Sequence, residues 1–382
     1  MQGLISRAGA ALARGASVFF DRETRAPAPV STRLSVGTLP CDVVFNPNGS
    51  TAYVPNSISK DVSVIDVSTG LVIDTIVLGE HPRAIAVSPD GRLAYVTEPN
   101  EDRVAVINLA DGTLRDPIDV GCFPNSVAFN ALGTIAYVTN SSDDSVSVID
   151  VAAGRALSET IAVGHDPRDV VFSPDSARAY VSNFRAGTVS VVDVRAGTVS
   201  RTITLSSGCP AGIAFTPDGE SAYVSHGGGN VSVINTSDGM VETVIAVGRG
   251  ASGAAVSPDG STVYVTHQGD HSVSVIDVVT NTVRDAISVG TRPVAVQFSP
   301  DGTRAHVVDG GSDTVSVIRL DPALRSGSDA SGSHAPPSAL RGLITAAALG
   351  GGPAPASAVP LPGRVEGQGA RAPEFRAAPT SR

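Results

Sequence analysis

Arg83 and Arg168 each stand one residue after a proline, at matching places in a chain with only 27 cationic residues against 37 acidic ones. A guanidinium offers a planar fork of donors that fits a carboxylate or a phosphate. With His81 and His165 just upstream and Asn125 at the corresponding place between them, the pair reads as a clamp for an anionic group on a small ligand. Asp42 and Asp169 follow at the next position, where they can balance the arginines or serve as a base, and Glu98 is added to this ligand-binding set. The competing reading is a rim of exposed ion pairs, which contribute little to stability.

A second constellation is His226, His267 and Asp309, at one place in three successive segments, with His271 in the loop after His267. Two imidazoles and a carboxylate with an open position could hold a divalent metal, or with Asp169 could supply acid–base groups. Against this, Asn56, Asn140 and Asn183 hold the same place elsewhere, which points to a hydrogen-bonding role. No cofactor is expected, and a metal at these residues is the exception. Cys41, Cys122 and Cys209 fall in equivalent loops on one face, too far apart for a disulfide, and read as small packed loop residues rather than reactive thiols. No nucleophile elbow, phosphate-binding glycine loop or haem-attachment motif occurs.

The elements that position these residues repeat. Gly37, Gly79, Gly121, Gly164, Gly208, Gly248 and Gly290 recur at spacings of 40 to 44, and no helical pattern lies between them. Each unit carries a turn such as Ser88-Pro89-Asp90-Gly91. A strand opening Tyr-Val follows, as at Tyr95, with His306 replacing the tyrosine in the last unit. Next comes an alternating strand such as Val62-Ser63-Val64-Ile65-Asp66, then a tight hairpin and a returning strand. Four antiparallel strands per unit make a propeller blade. The seventh unit lacks its last strand, and Val30, Leu34, Ser35 and Val36 match Val283, Ile287, Ser288 and Val289. The expected architecture is therefore all-β, a seven-bladed β-propeller over residues 30–320. Residues 30–36 would complete the last blade and close the ring, removing its open edges.

Residues 1–29 read as an extension, weakly helical or a degenerate targeting segment. Arg14 interrupts the apolar run a Sec signal needs, so a cytoplasmic location is favoured over export. Residues 321–382 are rich in Pro, Ala, Gly, Ser and Arg and are expected to be disordered, apart from a short helix at 338–349 carrying Leu340, Leu343 and Ile344. A net charge of −10 with a single lysine, Lys60, argues against nucleic acid. No segment is apolar enough to insert in a membrane, and a monomer is expected.

Val-Gly-x-x-Pro, Ser-Pro-Asp-Gly, Ala136-Tyr-Val-Thr-Asn140 and Val146-Ser-Val-Ile-Asp150 together resemble the YVTN-type β-propeller repeat. The resemblance implies kinship with surface-layer-like and lactonase-like seven-bladed propellers, some of them enzymes. Fold alone does not choose among their functions. The leading expectation is a scaffold that binds a small ligand or a protein partner at the loop-face mouth of the central channel. The alternative is a lyase, lactonase-like hydrolase or isomerase acting at that mouth, through His226, His267 and Asp309 or through Arg83, Arg168 and Asp169.

Overall fold

The computed structural model describes residues 30–320. The extension 1–29 and the tail 321–382, with its expected helix, lie outside the described residues. Seven separate antiparallel sheets follow one another around a ring, each ordered inner, second, third and outer strand along the chain. The seventh is closed as the repeat demands. Its inner three strands are Pro293–Phe298, Arg304–Asp309 and Thr314–Arg319, and its outer strand is Val30–Ser35, with Leu34 opposite Val315. In blade 3 the outer strand is split into Arg155–Ala156 and Ile161–Ala162. Residues 157–160 stand there opposite only Ser147 and Val148, so the extra residues leave the ladder. One 3-10 turn, Pro99–Glu101, is the sole helical element among the described residues.

Blades hold to one another through side chains supplied by the repeat. The tyrosine of one second strand packs on the inner-strand phenylalanine of the next blade: Tyr95 on Phe129, Tyr137 on Phe172, Tyr180 on Phe215, Tyr264 on Phe298, with ring centroids 4.6–4.8 Å apart. His306 takes the tyrosine's place against Phe45 at 4.8 Å, across the closing junction. On the turn face, the Pro-x-Gly turn glycines Gly49, Gly91, Gly219 and Gly260 each lie under a proline of the neighbouring blade. Cβ atoms built on Gly49, Gly91 and Gly260 would meet Pro300, Pro47 and Pro217 at 3.2–3.3 Å.

Around the channel the approach between inner strands is closest in blades 5 to 7. A Cβ on Gly212 would lie 2.6 Å from the Ser252 carbonyl oxygen, and one on Gly253 would lie 2.8 Å from both the Ala295 Cα and the Val294 carbonyl oxygen. Those neighbours are backbone and cannot rotate away. Gly253→Ala is therefore expected to cost about 2 kcal/mol, as overpacking does. Urea unfolding reads the cost, and a midpoint equal to that of the unsubstituted protein would show that the two strands can part cheaply.

Candidate functional site at the channel mouth

The two residues after each loop proline sit where the inner strand is irregular. The ladder to the second strand slips between Pro124 and Val127, Pro167 and Asp169, Pro210 and Ile213, Ala251 and Ala254, and Pro293 and Ala295. In blades 1 and 2 the inner strand is shortened to Val44–Phe45 and Ile85–Val87. A bulge re-aims side chains, and these irregular stretches carry Asn125 and Ser126 in blade 3 and Arg168 and Asp169 in blade 4, while Cys41 and Asp42 and Arg83 precede the shortened strands of blades 1 and 2. The same positions in blades 5 to 7 carry Ala211 and Gly212, Ser252 and Gly253, and Val294 and Ala295. The mouth is thus charged on one side and small on the other.

On the charged side Arg83 donates through Nε to Asn125 Oδ1. Asn125 is buried and in turn donates to Ser141 Oγ at 2.7 Å. Arg168 lies against Asp166, Nε to Oδ1 at 2.9 Å and Nη2 to Oδ2 at 3.1 Å, with its guanidinium 4.8 Å over the Phe184 ring. Arg185 reaches the same carboxylate at 3.3 Å. Arg83 is exposed, yet partial desolvation by the protein around it, and then the like charge of Arg168, hold its guanidinium below the usual arginine range. Among the described residues no carboxylate lies within ion-pair distance of Arg83.

Asp42 and Asp169 bridge blades. Asp42 accepts from Val43 N at 2.8 Å and from Ile85 N, in the next blade, at 3.0 Å. Asp169 accepts from Ser126 Oγ, Val170 N and Ile213 N, each at 2.9 Å, and so ties three blades together. Burial pushes the Asp42 carboxyl up to about 7 against the pull of its two amide donors, and the field of Asp169 adds to the rise. Asp169 is raised from the same first cause. Cys41 lies beside them with its thiol pushed up to about 12 by burial, which leaves it protonated and unreactive. All three cysteines are free thiols.

A belt of hydroxyls positions this ring, and sequence reasoning missed it. Thr97, Thr139, Ser182 and Ser225, the residue before the last of each second strand, accept the inner-strand amides of Ala84, Ser126, Asp169 and Gly212 at 3.0–3.1 Å. The same hydroxyls donate to a carbonyl of the following blade: Thr97 to Asn125 at 3.3 Å, Thr139 to Arg168 at 3.4 Å, Ser182 to Ala211 at 2.6 Å, and Ser225 to Ser252. They therefore fix the backbone that presents Asn125 and Arg168. The belt lapses at Pro55 and Val308, which carry no hydroxyl. At the junction of blades 1 and 2 the Cys41 thiol reaches the Pro82 carbonyl instead, at 3.4 Å.

A family model described as YNCE-like beta-propeller matches residues 126–335. The chain belongs to this family. A second model, the 7-bladed beta-propeller lactonase, matches residues 19–162 of the YNCE-like propeller. Among solved structures it is similar to a chain titled Kuenenia stuttgartiensis Hydrazine Synthase, with 24% identity and a TM-score of 0.70, over 75% of this chain and 97% of that one. At that identity the likeness concerns the fold. A search of curated proteins returned no match.

The remaining sequence-selected residues of the YNCE-like propeller are placed away from the mouth. His226, His267 and Asp309 are buried at the ends of their second strands, and each closes on its own blade. His226 Nε2 meets Ser232 Oγ at 2.8 Å, and His267 Nδ1 meets Ser272 Oγ at 3.3 Å. Asp309 accepts from Ser316 Oγ at 2.7 Å and from Gly290 N at 2.9 Å. Asn56, Asn140 and Asn183 bond the equivalent hydroxyls of Ser63, Ser147 and Ser190 at 2.9 Å, so the position serves the blade. Among the described residues no three His, Cys, Asp or Glu side chains are placed to share a metal ion. Glu98, buried at the same position in blade 2, pairs with Arg103 at 2.6 Å.

His81 meets the Ser57 carbonyl at 2.7 Å, His165 meets Asp144 at 3.0 Å, and His271 accepts from Arg292 N at 3.1 Å. Each of these contacts joins neighbouring blades at the loop face rather than adding to the clamp. A cavity of about 290 Å³ opens elsewhere, lined by Pro258, Tyr264, Arg284, Phe298 and Leu320. It holds none of the residues that the sequence singles out for chemistry.

Proposed function

We propose that this propeller is a binding protein that seats the anionic group of a small ligand at the mouth of its channel, on Arg83, Asn125 and Arg168. The observation that carries this reading is Arg83: an exposed guanidinium held through Nε by Asn125, with no carboxylate within ion-pair distance among the described residues. A guanidinium fork that is held in place and not spent on a carboxylate is ready to take an anion that reaches it. The reading requires no metal, cofactor or nucleic acid, and it works in a monomer. A lyase, lactonase-like hydrolase or isomerase is the second reading. It draws support from Asp42, a carboxyl at about 7 in the field of Arg83, near enough to neutrality to hand over a proton.

The test is calorimetric titration with small carboxylates and phosphate esters, comparing the unsubstituted chain with Arg83→Ala. Affinity is expected to fall at least tenfold in the variant. Equal affinities would dismiss the clamp. Turnover of a simple lactone, lost in Asp42→Ala, would place the second reading first.

A further inference from the structure

The rim around the clamp is as uneven as the mouth itself. The loop residue before the proline has a left-handed backbone at Leu39, Phe123, Asp166, Cys209 and Arg292, with φ between 50° and 62°, as does Gly250 with φ 72° at the corresponding place in blade 6, where Ala251 replaces the proline. Glycine adopts that conformation without strain, whereas a bulky side chain there carries a cost. Leu39 and Phe123 bear the cost and still leave 37% and 40% of their surface exposed, so each presents an apolar face to solvent at the rim.

Ile58, 58% exposed, stands beside Leu39, its amide bonded to the Thr38 carbonyl. Phe184 lies half-buried under the Arg168 guanidinium. The places corresponding to Ile58 in blades 5 to 7 are Gly228, Gly269 and Gly311. Large apolar groups are therefore gathered on blades 1, 3 and 4, the last two of which also carry Asn125 and Arg168, and among the described residues they are missing from the corresponding loop positions of blades 5 to 7.

The charges at the mouth set the valence of the anion. Arg168 and Arg185 share the Asp166 carboxylate, Arg168 by a hydrogen bond from Nη2 at 3.1 Å and an ion-pair contact of Nε at 2.9 Å that makes no hydrogen bond. Of the two clamp arginines, Arg83 alone lacks an acidic partner among the described residues. The two carboxyls deeper in the channel, Asp42 and Asp169, already take amide and hydroxyl donors and add no positive charge. One unpaired guanidinium matches one negative charge, and a planar fork matches a carboxylate. A phosphate dianion would need a second.

From this juxtaposition we infer that the ligand class is a monocarboxylate on an apolar body, its carboxylate on Arg83 and its body across Phe123, Leu39 and Phe184. The inference rests on the clamp reading and narrows it. The carboxylate could come from a free aliphatic or aromatic acid or from the end of an apolar peptide, since the chemistry at Arg83 is the same.

The probes are acetate, octanoate, inorganic phosphate and a hexapeptide ending in Leu-Phe, as free acid and as C-terminal amide. They are titrated into the full chain, Arg83→Ala and Phe123→Ser. Octanoate is expected to bind at least tenfold more tightly than acetate or phosphate, to lose at least tenfold in Arg83→Ala, and to lose several-fold in Phe123→Ser. Tighter binding by the peptide acid than by octanoate, abolished by amidation, would assign the source to a peptide end and also support the inference. Arg83-dependent binding in which phosphate equals or exceeds octanoate, or in which chain length has no effect, would overturn the inference and leave the clamp standing. Absence of any Arg83-dependent binding would overturn both. Phe123 is 40% exposed, so the melting curve of Phe123→Ser is recorded beside the titration, and the loss is read as contact at a temperature where the variant is fully folded.

Discussion

Leu34→Asp is expected to lower the unfolding free energy by about 4 kcal/mol or more, whereas Thr32→Asp, two residues away on the same strand, changes it by less than about 0.5 kcal/mol. Leu34 is 7% exposed and enters the core shared by blades 7 and 1, against Phe45, Val54, Ile65 and Val317. Thr32 faces solvent. A carboxylate at Leu34 finds no cation in that cluster, and its removal from water is uncompensated. The loss is also topological. Val30–Ser35 supplies the only ladder on the outer side of Thr314–Arg319. A closing strand that detaches bares that edge, and bare edges pair with other chains. Loss of stability should therefore come with self-association on sizing chromatography. Chemical unfolding of the two variants measures the difference. Coincident midpoints would mean that the ring is held by the other junctions and that the strand is dispensable.

That closure was legible in the sequence because it rests on local chemistry repeated seven times. Turn residues fix where strands end, and the match of Val36 with Val289 and Val30 with Val283 shows which blade is missing a strand. The clamp was legible in part. Position relative to a proline groups Arg83, Asn125 and Arg168, and the structure joins Arg83 to Asn125. What the sequence could not show is partnership across blades, because the contacts join residues 28 or 29 apart, as Thr97 with Asn125 or Thr139 with Arg168. The hydroxyl belt had a signal, a Ser or Thr always one residue before the end of the second strand and missing at Pro55 and Val308. Alternation hides it, since both faces of a blade are covered by neighbours and inward and outward positions read alike. For the same reason His226, His267 and Asp309 look like loop residues aimed at a channel. They end their strands but remain inside the pairing, where a buried imidazole substitutes for the asparagine of blades 1, 3 and 4.

Those buried imidazoles give the fold a defined acid weakness. Burial pushes His267 and His306 down to about 4, and both are 1% exposed. In the unfolded chain they titrate near 6.5, so between pH 6.5 and 4 the unfolded state takes up protons that the native state refuses. Stability contributed by each neutral ring is complete above pH 6.5 and declines as pH falls towards 4. The decline amounts to about 3 kcal/mol per ring. Carboxyls raised by burial act in the opposite sense across the same window. Asp42 at about 7 is the largest of them, and its contribution weakens as pH rises from 3.8 towards 7. The pH profile of the unsubstituted chain mixes the two, and a difference between variants separates them. His267→Asn and His306→Tyr each install the residue that sister blades use at that place, with Ser272 still available to the amide and Phe45 to the ring. Unfolding free energies measured at pH 7.5 and pH 4.5 should converge for each variant relative to the unsubstituted chain, by about 2 to 3 kcal/mol, while His226 keeps its own titration in all three. Parallel profiles would show that water reaches these rings in the native state and that their burial imposes no acid penalty.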